Sequence, residues 1–392
     1  MISYCNNIKY PNNWGFKREP ARPVKLRIDY CGGMKFNDNF DWDNLWHDAV
    51  QIDDTTVILV GPPLYDTKDW LKKNATFSKS EHLDIKNMLH VRFAELDRAC
   101  YTILTTDTPI LDSRIYLRTT VGTIEIELNR SDGNTFKNKI VMVTLQKDNP
   151  IEWIQQWVHY HHNVLGVDGF LIYDNNSTKY DIIKLEYCLK LTGATIQVVS
   201  WPYPYGPQGS DFAPWDSDYC QLSMLEHSKL RYLGNAALVL NNDIDEYLVT
   251  KGVTLTDVAD YLKNNKVNSL KCKGVWIAPY DYANKCSANS VTLIDRQAKD
   301  YYCVDPDYKV GLGYKWMLVP TDDTINQQWV VHQVSGKMVE SAQIYYAHLL
   351  AMNTNWSWER DKFSGDVNNL IIDEHLKSKL DQAFNNTSVS RQ

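Results

Sequence analysis

The sequence predicts an α/β fold: a mostly parallel sheet flanked by helices over residues 137–392, closed by a C-terminal helix and preceded by a β-rich N-terminal domain over residues 1–136. Three observations predict it. From residue 139 apolar strands and amphipathic helices alternate as β-α-β-α-β-α-β, an order that calls for parallel strands with helices on both faces. Before residue 136 the chain holds short strand-like segments, several alternating with period two, separated by turn residues. At 392 residues, 44% of them apolar, the chain can bury a large core and is long enough for two domains.

In the first part, TTVILVG (55–61), ACYTILTT (99–106), RIYLRTTV (114–121) and TIEIELN (123–129) are the strand segments. The turn-rich SDGNTFKN, 131–138, marks the boundary. KIVMVTLQ (139–146) is then a β-branched strand. Pro150 suits a first helical turn, with Asp148 or Asn149 as cap, and Ile151, Ile154, Val158 and Leu165 keep near-helical spacing until Gly166 ends the helix. DGFLIYD is the next strand, IIKLEYCLKLTG a helix closed by Gly193, and ATIQVVSW a third strand. After the loop PYPYGPQGSDFAP, a helix capped by Ser217 or Asp218 carries Leu222, Leu225, Leu230 and Leu233 to Gly234, and AALVLN follows as a strand.

Forty-eight acidic and 41 basic residues give a net charge of −7 without a Lys/Arg cluster, which excludes a nucleic-acid footprint. The eight cysteines form no CxxC pair, so neither a structural zinc module nor a disulfide scaffold is expected; reduced core thiols in a cytoplasmic protein are. MISYCNNIKYPNNWGFK lacks the apolar core of a signal peptide, and nowhere do 18 apolar residues run together, so no transmembrane segment is expected.

The stretch LVLNNDIDEYLV, 238–249, places Asp243, Asp245 and Glu246 directly after an apolar strand. In an extended segment residues two apart face the same way, so Asp243 and Asp245 can converge on a hard divalent cation, Mn2+ or Mg2+. A lone D-x-D is a weak signal, because polar turns after strands are rich in Asp and Asn. Its place at a strand's carboxyl end, where open α/β sheets collect ligands, strengthens it. IYDNNS (172–177) offers Asp174, Asn175 and Ser177 to a base or ribose at the same edge, although an Asx turn accounts for them equally well. Thr144 and Lys147 in VTLQKDN could likewise meet nucleotide or phosphate.

The run KDNPIEWIQQWVHYHHNVLGVDGFLIYDNNS, followed in order by VVSWP, the CQL at Cys220, NDIDEYL, YKWMLVP, VVH ending at His332, and YYAHLL containing His348, resembles glycosyltransferase family 92 and the related family-2-like transferases. The resemblance spans roughly residues 139–350. It implies a GT-A type nucleotide-sugar domain, metal dependence, and inverting transfer from a UDP-sugar, UDP-galactose among the candidates, to a glycan acceptor. The metal positions map onto Asp243 and Asp245, completed by a C-terminal histidine. His332 is preferred over His348, because the tyrosine and basic residue that follow in the family are replaced here by HLL. Gln221 falls on the family's helix start as a donor-site residue, and Lys315 is a candidate phosphate contact.

Inversion needs a general base within reach of the acceptor hydroxyl. Glu246 and Asp281 are placed ahead of Asp211 and Asp216, with bracing of the site as the alternative for Glu246. Trp201, Tyr203, Tyr205, Trp215, Trp276, Tyr280 and Tyr282 lie in loops where flat rings could stack on an acceptor sugar or pack under the loop. A sugar nucleotidyltransferase would carry a Gly-rich phosphate loop where LQKDNP has no glycine. A glycosidase needs its carboxylates about 5–10 Å apart across a bond. The reading from another class is a non-catalytic carbohydrate-binding or adaptor protein on the same sheet.

Overall fold

The computed structural model describes residues 1–20, 36–82, 84–207, 217–280, 296–308, 311–350, 352 and 367–385. Eleven described strands form one sheet: β1 (Ile2–Tyr4), β2 (Ile140–Gln146), β3 (Gly169–Asp174), β4 (Thr195–Ser200), β5 (Leu238–Asn241), β6 (Glu246–Thr250), β7 (Ser269–Pro279), β8 (Tyr301–Val304), β9 (Lys315–Leu318), β10 (Met338–Leu349) and β11 (Ile371–Ile372). Their order is β1-β4-β3-β2-β5-β9-β7-β8-β11, with β10 bridging β6 and β7. Strands β1 to β5 are parallel neighbours, and β9 turns the sheet antiparallel.

The apolar runs are buried on both faces, as parallel strands must be when helices cover each side. Met142, Phe170, Ile172 and Leu240 share one core with Trp157 and Leu185. Their neighbours Val141, Val143, Leu171 and Val239 share the other with Met224 and Leu225. The first core takes α1 (Ile151–Leu165) and α2 (Ile182–Lys190), the second α3 (Tyr219–Ser228). Farther on, α4 (Leu255–Asn265) starts in a Thr254–Asp257 capping box, and α5 (Glu374–Phe384) packs on α1.

Gly166 ends α1 as expected, in the left-handed conformation at φ 71°. The cap expected from Asp148 is absent: Pro150 takes that position, and the Asp148 carboxylate instead accepts the Thr178 and Lys179 amides at 2.6 and 3.0 Å. Asp148 thus ties the loop after β2 to the loop after β3. The third helix is buried at all ten positions rather than along one stripe, and it continues through a π turn, Lys229–Leu233, to Gly234.

In the N-terminal part the four anticipated strands are present as Thr56–Gly61, Cys100–Thr105, Arg114–Thr119 and Gly122–Glu127. Four further strands, Asp48–Asp53, Ala75–Ser78, His90–Glu95 and Asn129–Arg130, join them in a five-stranded and a three-stranded sheet. This region closes over the outer side of α3: His47 Nδ1 meets Ser223 Oγ at 2.8 Å, and the Tyr101 hydroxyl donates to Glu226. Strand β1 leaves it altogether and pairs with β4, Ile2 opposite Val198.

Candidate active site

The parallel ladder sets Gln146, Asp174 and Ser200 level at the carboxyl ends of β2, β3 and β4. Strand β9 runs the other way, with Met317 opposite Leu240, so its first residue Lys315 comes back to the same rim. Between β2 and β5 the chain order reverses, and open α/β sheets bind ligands in the crevice outside such a switch point.

Asp243 and Asp245 do not lie in an extended segment. Glu246 N–H donates to the Asp243 carbonyl at 3.0 Å, so residues 243–246 form a turn and the two acids take separate partners. The Asp243 carboxylate accepts Lys315 Nζ at 2.8 Å, and Asp245 Oδ2 meets His348 Nε2 at 2.9 Å. Glu246 Oε2 accepts Lys315 Nζ at 3.1 Å and the Asp243 amide at 2.8 Å. Repulsion among the carboxylates is therefore offset by the protein's own Lys315, while Asp245 has a separate hydrogen-bond partner in His348. Among the described residues these acids, His332 and His348 form no cluster of three donors within 4.8 Å.

Burial and charge compete at this knot. Burial lowers the Lys315 pKa, but Asp243 and Glu246 outweigh it and raise it above the usual lysine value. Burial pushes Glu246 up to about 7 against the pull of Lys315. The Glu246 side chain is 3% exposed and is held by a lysine and an amide, the contacts of the bracing alternative.

Two elements fix the turn. On one side β6 pairs with β10, setting Glu246 opposite His348, and β7 sets Trp276 opposite the same histidine. The Trp276 indole stacks on the imidazole at 4.3 Å and 20°. On its other side β6 has no strand neighbour among the described residues, and side chains of α1 supply the hydrogen bonds. Trp157 Nε1 donates to the Glu246 carbonyl at 3.0 Å, the Tyr160 hydroxyl to the Leu248 carbonyl at 2.9 Å, and the Leu248 amide to His161 Nε2 at 3.1 Å. His161 Nδ1 donates to the Trp157 carbonyl at 2.8 Å, which leaves Nε2 as an acceptor. The WVHYHH stretch is thus a side-chain substitute for a missing strand.

His332 sits at the tip between Trp329–Val330 and Gln333–Val334, and its Nδ1 bonds the Tyr314 carbonyl at 2.9 Å. Gly313 permits that approach, since a Cβ there would stand 2.4 Å from the ring nitrogen. Asn241 Nδ2 holds the Val331 carbonyl at 2.9 Å, which keeps this tip against the end of β5. Of the two histidines, His348 is the one that meets Asp245.

The remaining rim residues are engaged within the protein. Asp174 accepts the Ser177 amide at 3.0 Å, an Asx turn, and Asn175 Nδ2 holds the Trp201 and Tyr203 carbonyls, each at 2.8 Å. Ser177 Oγ accepts the Asp148 amide at 2.8 Å, and Gln221 accepts the Tyr205 hydroxyl at 2.9 Å. Thr144 is buried, while Lys147 is half-buried at the rim. Trp201 and Tyr203 pack in the core, so they offer no face to a sugar; Tyr280 stacks on Tyr302. Asp211, Trp215, Asp216, Asp281 and Tyr282 lie outside the described residues. Sequence reasoning missed Gln146, whose side chain bonds both Asp174 and Tyr180, and the role of Trp276 as the histidine's platform. Alternation along β10 was the available signal, since Tyr346 and His348 face the same way.

A comparison with curated proteins gives no match. Among solved structures, TarS from S. aureus (residues 1–349) is similar at 14% identity and a TM-score of 0.30, over 54% of this chain and 60% of that one. A mycobacterial protein is similar at 14% identity and a TM-score of 0.20, over 39% and 47%. The chain thus spans less than two thirds of either. The model of glycosyltransferase family 92 matches residues 142–378, more than half of the sequence and all of the rim described above, and the chain belongs to that family.

Proposed function

We propose that this chain is an inverting, metal-dependent glycosyltransferase of GT-A type that moves a sugar from a UDP-sugar, galactose being the first to test, to a glycan hydroxyl. The observation that supports it is the Asp245 carboxylate facing the His348 imidazole at 2.9 Å on the ligand-binding rim of the sheet. The two donors fit a resident divalent ion: their side chains are 12% and 7% exposed, and stacking on Trp276 sets the ring's orientation. Carboxylate and phosphate oxygens suit Mn2+ and Mg2+, and the imidazole tilts the set toward Mn2+. Such an ion, when bound, offsets the charge that grows on the departing diphosphate.

The chain's own residues do the rest. Asp243, with a third of its side chain exposed, and Lys147 face the nucleotide, while Lys315 and Glu246 hold Asp243 in place from beneath. Asp174, Asn175, Ser177 and Gln221 shape the floor of the nucleotide pocket through the bonds described above, and the buried Thr144 contributes to the same floor. Asp281, two positions beyond β7, is assigned as general base, ahead of Asp211 and Asp216. Residues 1–136 serve as an accessory unit.

The test is nucleotide release from a panel of UDP-, GDP- and CMP-sugars, with Mn2+ or with chelator. The expected result is Mn2+-dependent release of UDP, lost in Asp245→Asn and His348→Ala. Release that persists in chelator and in both variants would overturn the metal reading. UDP binding without turnover of any donor would favour an adaptor.

A further inference from the structure

Cys5, Asp48 and His227 come from three distant segments, yet each brings one donor atom within 4.8 Å of the others. Cys5 follows β1, Asp48 opens a strand of the N-terminal sheet, and His227 lies in α3. His227 Nε2 stands 2.8 Å from Asp48 Oδ2 and 3.9 Å from Cys5 Sγ. We propose that these three side chains form a second metal site, for a thiophilic divalent cation such as Zn2+, that staples the N-terminal part to the catalytic sheet.

The chemistry of the set favours zinc over the hard cations, because it combines a thiol, an imidazole and one carboxylate oxygen. With bonds of about 2.0–2.3 Å, tetrahedral zinc holds its ligand atoms roughly 3.3–3.8 Å apart, so the observed spacings lie on either side of that range. Closing on an ion takes shifts of roughly half an ångström. Three protein ligands leave a fourth position for water, and the half-buried Cys5 supplies a way in.

The surroundings are arranged as a ligand's supporting partners would be. The Asn6 amide at 3.1 Å and Asn129 Nδ2 at 2.8 Å hold Asp48 Oδ1, which leaves Oδ2 turned toward His227. The Tyr173 hydroxyl bonds His227 Nδ1 at 2.7 Å. A hydroxyl both donates and accepts, so it tolerates the tautomer with the proton on Nδ1 that ligation through Nε2 requires. Arg231 Nη1 also touches Asp48 Oδ2, at 3.1 Å, and would compete with an ion for it. That guanidinium has other acceptors to keep, the Tyr4 carbonyl at 3.1 Å and Asn129 Oδ1 at 3.0 Å. It then balances a thiolate and a carboxylate shared with one doubly charged ion. Binding releases the Cys5 thiol proton.

The test uses the full chain, stripped with chelator and titrated with Co2+ as an optical probe. The expected result is one tight equivalent with a thiolate-to-cobalt absorption band, displaced by Zn2+, and a thermal midpoint that rises on zinc addition. Cys5→Ser should lose the band and weaken zinc binding by at least ~100-fold. Cys5→Asp should bind zinc without the band, and a variant carrying Asp245→Asn with His348→Ala should keep it. Absence of the band in the parent chain, or its survival in Cys5→Ser, would refute the site.

Discussion

A lysine with 1% of its side chain exposed needs strong pairing, and Lys315 has it twice, to Asp243 at 2.8 Å and to Glu246 at 3.1 Å. Removing one partner of a buried pair leaves an uncompensated charge at a cost of about 3–5 kcal/mol. Lys315→Met is therefore expected to lower unfolding free energy in urea by that amount, and adding Glu246→Gln should recover part of it. Asp245 behaves differently, because it is expected to act in turnover rather than in folding. Asp245→Asn should cut kcat by ~10²–10³ while the thermal midpoint stays within a few degrees. His332→Ala should cost far less activity than His348→Ala in the same assay. At this scale the sequence exposed the acids but hid their partners, since Asp243 and Lys315 are 72 positions apart and Asp245 and His348 are 103 apart. No local pattern encodes such pairings.

The exchange of a strand for side chains along α1 has its own consequences. Trp157→Phe removes the bond to the Glu246 carbonyl and should cost about 1–2 kcal/mol, with a fall in kcat because the turn at Asp243–Asp245 loosens. His161 is fully enclosed, and burial depresses its pKa to about 3 despite the Trp157 carbonyl. A depressed histidine pKa means that the unfolded chain binds the proton first. The stability this group contributes is complete above about pH 6.5 and falls as pH drops from there toward 3. His161→Gln should flatten that acid limb in urea unfolding followed by circular dichroism. Elements were largely legible: four parallel strands, their helices and the glycine stop at Gly166 follow from periodicity and breakers. Asp48–Asp53 was not, because its buried first residue is an aspartate held by His227 and Arg231 from a segment nearly 180 positions away. The Asp148 cap failed for a related reason, since a tertiary loop contact won over a local one.

In the whole molecule the two parts share α3, which lies between the large sheet and the N-terminal sheets. Stripping residues 1–136 would expose Ser223, Glu226 and His227 together with the apolar groups around them. Residues 137–392 expressed alone should lose near-ultraviolet circular dichroism and elute as aggregate, whereas the full chain should unfold in one transition by calorimetry. Among the described residues no helix is long and apolar enough to cross a membrane.

A helix without a wet side has nowhere for substitutions to accumulate harmlessly. Most helices can absorb drift on their outer face, as α4 can at Thr256, Asp260 and Asn264. In a saturation library scored for abundance, lysine should be rejected along the whole of α3 and accepted at those three sites. Divergence among chains of this architecture would then be slowest in an element that carries no reacting group.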